Sequence, residues 1–297
     1  MKKPYFGRLL TAMVTPFDES GVNVEAVKKL VDWWLAHGTD GLVVTGSTGE
    51  AATMSVEEKK LLWTTVVQYV DGRVPVIAGT GSNSTAGSIE MTKLAESCGV
   101  DGVLIVGPYY NKPTQEGYYR HFKAIADSTS CKVILYNVPG RTAANVAPAT
   151  VARTAAACPN VVAIKEAAGR VDQVAELYRL LPEDFTIYSG DDGLILPFLS
   201  VGASGLISVL SNVDGEILQN LMQAYEEGRA KEAADLNKKM VPLAEAMFVE
   251  TNPIPVKKAV SLVTGIDCGD PRLPLTPLSE GALAKMTAVL RENGLLP

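Results

Sequence analysis

The stretch Val161-Val-Ala-Ile-Lys165-Glu-Ala167 combines a strand with a lysine at its exit. Four apolar residues, three of them β-branched, are typical of a short buried strand. Lys165 follows this strand at the position where a turn residue is usually found. Partial burial there would lower the pKa of its amine and leave it free to attack a carbonyl carbon. Taken alone, the segment is more typical of a lysine that reaches solvent or pairs with Glu166.

Seven further runs like this one divide the chain at regular intervals. Short β-branched runs alternate with segments of helical period, and the predicted strands cover residues 9–14, 41–44, 75–78, 102–106, 132–136, 161–165, 185–188 and 205–209. Eight strand–helix units without a linker predict an α/β fold, a (β/α)₈ TIM barrel. The rival is a doubly wound open sheet, but no Gly-x-Gly-x-x-Gly fingerprint opens the first helix.

The strand signal ends near residue 214. We expect residues 1–225 to form the barrel, which is the catalytic domain, and residues 226–297 to form a C-terminal helical extension. The segment after residue 214 predicts one long helix, one helix that begins after Pro253-Ile-Pro255, and one near residues 279–291.

Composition excludes several classes of function. The chain has 297 residues, of which 47% are apolar and 20% charged, and this balance supports a large core. A formal net charge of −6 predicts neither nucleic acid nor a membrane surface as a partner. No apolar run approaches the length of a membrane span, and the basic segment Met1–Gly7 lacks the apolar region of a signal peptide.

Cysteine and histidine usage points to reduced thiols in the cytoplasm and to no metal site. The chain has only two histidines, His37 and His121, so few residues could form a histidine-based metal site or a Ser-His triad. Neither a disulfide framework nor a zinc site is expected from the widely spaced cysteines at positions 98, 131, 158 and 268.

Unusual side chains collect at the predicted strand ends, which share one mouth in such a barrel. They are Ser47 and Thr48 after strand two, Tyr109 and Tyr110 after strand four, Tyr136 and Arg141 at strand five, Lys165 at strand six, and Asp191 and Asp192 after strand seven. Position at this mouth favours a functional role for Lys165, Tyr136 and Arg141 together.

Carbonyl chemistry at Lys165 requires three supports. Tyr136, a phenol at the neighbouring strand end, suits proton transfer. The backbone amides of Gly46-Ser-Thr-Gly49 suit a substrate carboxylate. Arg141 suits a second carboxylate, because its guanidinium binds in a bidentate way. Asp191 and Asp192, by contrast, are more typical of helix caps than of catalysts.

Five segments together resemble the dihydrodipicolinate synthase/N-acetylneuraminate lyase family, in its order and spacing from about Leu9 to the C-terminus. They are Gly46-Ser-Thr-Gly-Glu50, Pro108-Tyr-Tyr-Asn-Lys-Pro113, Tyr136-Asn-Val-Pro-Gly-Arg-Thr142, Ile164-Lys-Glu-Ala167 and Ser189-Gly-Asp-Asp192. The arginine in the third segment is similar to the synthase branch, since the lyase branch lacks it.

The resemblance implies that Lys165 forms a Schiff base with pyruvate and that the enamine attacks L-aspartate-4-semialdehyde on the route to diaminopimelate and lysine. It implies a proton relay of Tyr136, Ser47 or Thr48, and Tyr110, with Tyr110 supplied by the neighbouring subunit of a tight dimer. Further implied are a homotetramer of two such dimers and no cofactor. Arg141 would hold the semialdehyde carboxylate, and the lysine pocket would be lined by Gly190 and Ile207.

This chain departs from the family pattern at two places. Ser47 stands where synthases often have threonine; it keeps the hydroxyl, but lyases also carry serine there. Lys59 and Gly87 stand where lysine-inhibited bacterial members have a histidine and a glutamate. A cation repels the amines of lysine and glycine offers no carboxylate, so we expect weak or absent inhibition by lysine.

Two other functions stay open from the sequence. One is a related Schiff-base pyruvate aldolase, lyase or dehydratase acting on a sugar acid, for which Arg141 would be unnecessary. The other is a catalytically silent barrel that binds a keto acid, which the fold alone permits.

Overall fold

A computed structural model describes residues 4–297; residues 1–3 of the segment considered as a signal peptide lie outside the described residues. In that part of the chain eight parallel strands close into a barrel, and each pairs with its neighbour in sequence. The barrel strands are β1 (Leu9–Ala12), β4 (Gly41–Val44), β5 (Val76–Gly79), β6 (Gly102–Val106), β7 (Lys132–Asn137), β8 (Val161–Glu166), β9 (Thr186–Ser189) and β10 (Gly205–Ser208), while β2 (Phe17–Asp18) and β3 (Gly21–Val22) form a separate antiparallel hairpin.

Helices follow the barrel strands, as the predicted (β/α)₈ architecture requires, so the predicted fold class is confirmed. The helices are α1 (Val24–Ala36), α2 (Val56–Val70), α3 (Thr85–Ser97), α4 (Gln115–Ala126), α5 (Pro139–Thr142), α6 (Pro148–Ala157), α7 (Val171–Leu180), α8 (Ile195–Ser200), α9 (Gly215–Glu226), α10 (Ala230–Ala246), α11 (Ile254–Thr264) and α12 (Glu280–Glu292).

The predicted bounds were wrong at several places, each for a physical reason. Strand β1 ends two residues early, because the amide of Val14 donates to the side chain of Asn212 at 3.2 Å. Residues 215–246 form two helices, separated at Gly228, whose φ of +75° is left-handed. Helix α11 begins at Ile254, so Pro255 lies in its first turn, where no amide donor is needed.

Alternation along the strands divides the buried side chains into two cores. One core fills the barrel, with Leu10, Ile77, Ile134, Ala163 and Ile207 among its members. The larger core lies between the strands and the surrounding helices. Because β-strand side chains alternate between faces, Tyr136 and Lys165 point into the barrel along with these residues.

The C-terminal helices lie against the turns that follow β9 and β10. Helix α10 packs against the short 3₁₀ helix Asp192–Leu194, and α11 packs against the short 3₁₀ helix Leu210–Asn212. The segment between α10 and α11 is thereby brought to the carboxyl ends of the strands. None of the helices in residues 4–297 has both the length and the apolar character that a membrane span needs.

Candidate active site

Lys165 is the fifth residue of β8, and its side chain ends inside the barrel mouth. The residue is 6% exposed, and its Nζ lies 4.7 Å from the centre of the Tyr136 ring. Burial lowers the pKa of the ammonium from 10.5 to about 8; the carboxylate of Asp192 opposes this shift and the guanidinium of Arg141 adds to it. In a fraction of the molecules Lys165 is therefore a free amine near neutral pH.

Glu166 does not pair with Lys165, because consecutive strand residues face opposite sides of the sheet. Its fully buried carboxylate accepts hydrogen bonds from Asn137 Nδ2 at 3.0 and 3.1 Å, from Gln173 Nε2 at 2.9 Å and from the amide of Ala168 at 2.7 Å. The ion pair between Lys165 and Glu166 that the strand segment suggests by itself is therefore wrong.

Tyr136 is the register partner of Lys165 on the neighbouring strand β7. Burial raises the pKa of its phenol to about 12; Arg141 opposes the shift and Glu166 adds to it. The hydroxyl has no hydrogen-bond partner in residues 4–297 and the residue lines the cavity around Lys165. Tyr136 is therefore a protonated phenol beside the amine, able to donate and recover a proton.

The turn after β4 presents two free backbone amides. It is bounded by Thr45 and Glu50, whose φ angles of +56° and +57° are left-handed. The amides of Gly49 and Glu50 bond within the turn, whereas those of Ser47 and Thr48 donate to no acceptor in the described residues. Adjacent free amides of this kind suit a carboxylate.

A buried ion pair holds this turn from behind. Lys257 Nζ lies 2.7 Å from Glu50 Oε1, and both side chains are 1% exposed. The second oxygen of Glu50 accepts the amide of Arg272 at 2.8 Å, and Lys257 also donates to the Asp270 carbonyl at 3.2 Å. The C-terminal part of the chain thus fixes the shape of a turn near its start.

Ser47 and Thr48 both line the cavity but differ in environment. Ser47 is exposed, whereas Thr48 is only 4% exposed. Thr48 Oγ1 accepts a hydrogen bond from Asn252 Nδ2 at 3.1 Å. Arg141, on the short helix α5, reaches the same residue, since its Nη2 donates to the Asn252 carbonyl at 3.2 Å.

The remaining predicted site residues lie at different distances from the amine. A Cβ at Gly190 would stand 3.0 Å from Lys165 Cε, so only glycine leaves room for the lysine. Ile207 is fully buried in the barrel core and is not among the residues that line the cavity. Tyr110 is 90% exposed and lies outside the cavity of its own chain, while Tyr109 lines an adjoining cavity.

The two aspartates after β9 have separate roles. Asp191 caps the 3₁₀ helix by accepting the amide of Gly193 at 3.0 Å, as the capping hypothesis predicts. Asp192 does not act as a simple cap. Its buried carboxylate accepts from the Ser208 hydroxyl and from the amides of Val209 and Leu210, which ties β10 to the site.

These side chains surround a cavity of about 360 Å³ at the carboxyl ends of the strands. It continues into a second cavity of about 440 Å³, which Lys59 lines. Sequence reasoning missed the contributions of the C-terminal part, namely Glu245, Phe248 and Asn252. No sequence spacing connects these residues to the strand ends, because they follow α9 and so lie beyond the last strand–helix unit of the barrel.

Comparison with known proteins agrees with this geometry. A family model described as the dihydrodipicolinate synthetase family matches residues 5–293. The chain is 51% identical to the 4-hydroxy-tetrahydrodipicolinate synthase of Bacillus subtilis (strain 168), covering 97% of this chain and 99% of the relative. It is 49% identical to the protein of the same name from Desulforamulus reducens, covering 98% of each.

Solved structures give the same result. A dihydrodipicolinate synthase from Bacillus anthracis superposes with a TM-score of 0.94 at 47% identity, covering 97% of this chain and 98% of that one. The structure from Cyanidioschyzon merolae, solved with lysine bound, gives a TM-score of 0.97 at 41% identity, covering 99% of this chain and all of the other. The resemblance read from the five sequence segments is confirmed, and the chain belongs to the dihydrodipicolinate synthetase family.

Proposed function

We propose that this chain is a 4-hydroxy-tetrahydrodipicolinate synthase, which condenses pyruvate with L-aspartate-4-semialdehyde through a Schiff base on Lys165. The observation that carries the proposal is the buried amine of Lys165, with its pKa lowered to about 8, beside the Tyr136 ring in a cavity that Arg141 also lines. The names of relatives near 50% identity support the same reaction.

The first half of the reaction uses pyruvate. The free amine of Lys165 attacks the ketone carbon, and the carbinolamine that forms loses water to give an iminium ion. Both proton transfers need a shuttle, and we assign this role to Tyr136 with Ser47 or Thr48. The pyruvate carboxylate binds the free amides of Ser47 and Thr48. Loss of a methyl proton then gives the enamine, for which the iminium is the electron sink, so the step requires no cofactor.

The second half forms the carbon–carbon bond. The enamine carbon attacks the aldehyde of the semialdehyde, whose carboxylate we assign to the guanidinium of Arg141. Attack by the semialdehyde amine on the former ketone carbon closes the ring and releases Lys165. Gly190 leaves the space that the lysine adduct needs. Ile207 does not line the cavity, and we assign it a place in the apolar floor beneath the pocket.

We further propose a homotetramer of tight dimers in which Tyr110 serves the neighbouring subunit. Tyr110 is 90% exposed with a left-handed φ of +71°, which supports a role outside its own chain. The residue 1–225 barrel would carry the lysine, and the 226–297 extension would close one side of the cavity. The four cysteines, all within residues 4–297, are free thiols, which supports our assignment of the reaction to the cytoplasm.

Trapping with borohydride tests the proposal directly. The protein is incubated with pyruvate, reduced, digested and mapped by mass spectrometry, and its turnover is then measured with both substrates. We expect a reduced pyruvyl adduct on Lys165 alone, and product only when the semialdehyde is present. An adduct without turnover would redirect the assignment to a sugar-acid aldolase. Folded protein that gives no adduct in excess pyruvate would contradict any Schiff-base function.

A further inference from the structure

Asn252 connects two parts of the site that come from distant loops. It lies between α10 and α11, is 5% exposed and lines both cavities. Its Nδ2 donates to Thr48 Oγ1 on the turn after β4, and its carbonyl accepts from Arg141 Nη2 on the short helix α5 after β7. One residue of the C-terminal extension therefore touches the groups assigned to each of the two substrates.

The direction of the hydrogen bond to Thr48 has a chemical consequence. A hydroxyl has one proton to donate and two lone pairs that accept. Because Asn252 donates, the Thr48 oxygen acts here as an acceptor, and its proton is used by no other group in the described residues. That proton is available to a substrate carboxylate or to a relay. If the side chain at position 252 could only accept a hydrogen bond, the Thr48 proton would be used in the bond to that side chain.

The carboxamide of Asn252 also carries an unfavourable feature. Its Oδ1 is buried and has no hydrogen-bond partner in residues 4–297. An unpaired buried acceptor destabilises the fold, and an apolar side chain of similar size would avoid this cost. Within residues 4–297 the one side-chain hydrogen bond of this carboxamide leads to Thr48.

We propose that Asn252 is a positioning residue, whose carboxamide turns the Thr48 hydroxyl so that its proton faces the reacting substrates. The proposal rests on the proposed synthase function. It assigns to Asn252 no contact with the substrates; its effect passes through Thr48. Its removal should therefore lower kcat while Lys165 still captures pyruvate.

A double-mutant cycle tests this directly. Asn252→Ala and the nearly isosteric Asn252→Asp are each made in the wild-type chain and in a Thr48→Val chain. In the wild-type chain each should lower kcat by roughly 10- to 100-fold, as expected for a misdirected catalytic group. In the Thr48→Val chain the same changes should cost less than about twofold, because the group through which they act is gone.

Asn237→Ala is the matched control, since Asn237 on α10 also has a buried, unpaired Oδ1 but is not among the residues that line either cavity. Its kcat should equal that of wild type. Borohydride trapping of pyruvate on Lys165 in each variant shows that the site is folded, and Asn252→Asp carries the test if Asn252→Ala does not fold.

Equal losses in the wild-type and Thr48→Val chains would overturn the proposal, as would wild-type kcat in both Asn252 variants. A wild-type chain that does not turn over the two substrates would instead contradict the proposed function. The two failures are therefore distinguishable in one set of measurements.

Discussion

Replacing Lys165 by methionine should abolish turnover and, at the same time, stabilise the fold at neutral pH. Lys165 is 6% exposed, and the pKa of its ammonium, about 8 in the fold, compares with an ordinary value of 10.5. Since one pKa unit equals about 1.4 kcal/mol, holding this charge inside the barrel destabilises the fold by roughly 3 kcal/mol at pH 7. Methionine has a similar shape and no charge, so it removes this penalty.

The pH dependence fixes the sign of the effect. The unfolded chain keeps the Lys165 proton up to about pH 10.5, whereas the folded chain releases it near pH 8. Between these values the unfolded state binds more protons, so the stability of the wild-type chain rises with pH. The penalty is complete below pH 8 and disappears by about pH 10.5. The advantage of Lys165→Met should therefore be largest at pH 7 and should fall below about 1 kcal/mol at pH 10.

The assay is urea unfolding of both proteins at pH 7 and pH 10, at one protein concentration so that any assembly is held constant. Lys257→Met is the matched control, because Lys257 is also buried but is paired with Glu50 at 2.7 Å. It should destabilise the fold by roughly 3 kcal/mol or more, since it leaves a buried carboxylate without its partner. A Lys165→Met protein no more stable than wild type at pH 7, or a difference independent of pH, would refute the reasoning.

Four further predictions concern activity. The initial rate of borohydride-trapped adduct formation should rise with pH and level off near pH 8, the pKa of Lys165; a rise that continued to pH 10 would mean an unperturbed amine. Gly190→Ala places a Cβ 3.0 Å from Lys165 Cε and should slow turnover by on the order of 100-fold, measured beside thermal stability to exclude unfolding. Arg141→Ala should raise the KM for the semialdehyde strongly and leave the pyruvate adduct intact, and equal loss of both would contradict its role. Lysine at sub-millimolar concentration should not inhibit, because the basic side chain of Lys59 lines the adjoining cavity and Gly87 offers no carboxylate to the amines of lysine; substantial inhibition would contradict this expectation.

The barrel could be predicted because its signals are local. Each strand is a short β-branched run, and each helix has its own period and caps, such as the capping box of Ser55 and Glu58. The hairpin of β2 and β3 escaped prediction because two-residue strands have no measurable period. The division between α9 and α10 escaped because it depends on the left-handed backbone of Gly228.

Parts of the site followed from the barrel rule. Once the strands are known, Tyr136 and Lys165 at adjacent strand ends must share one mouth, and the structure gives them paired register positions. The rule does not say which side of a strand end faces the cavity. The strand segment taken alone suggested Glu166 as a partner for Lys165, but the carboxylate of Glu166 binds Asn137 and Gln173 instead.

The sequence by itself determined the eight-fold repeat, the place of Lys165 at the end of a strand and the strand ends around it, because these depend on side-chain period and on order along the chain. Only the tertiary structure decided what holds the site in shape. Asn252 meets Thr48 across 204 residues, and Lys257 meets Glu50 across 207. Such contacts form when the C-terminal helices dock on the strand ends, and no local sequence pattern predicts them. The lowered pKa of Lys165 has the same origin, since burial is a property of the whole fold.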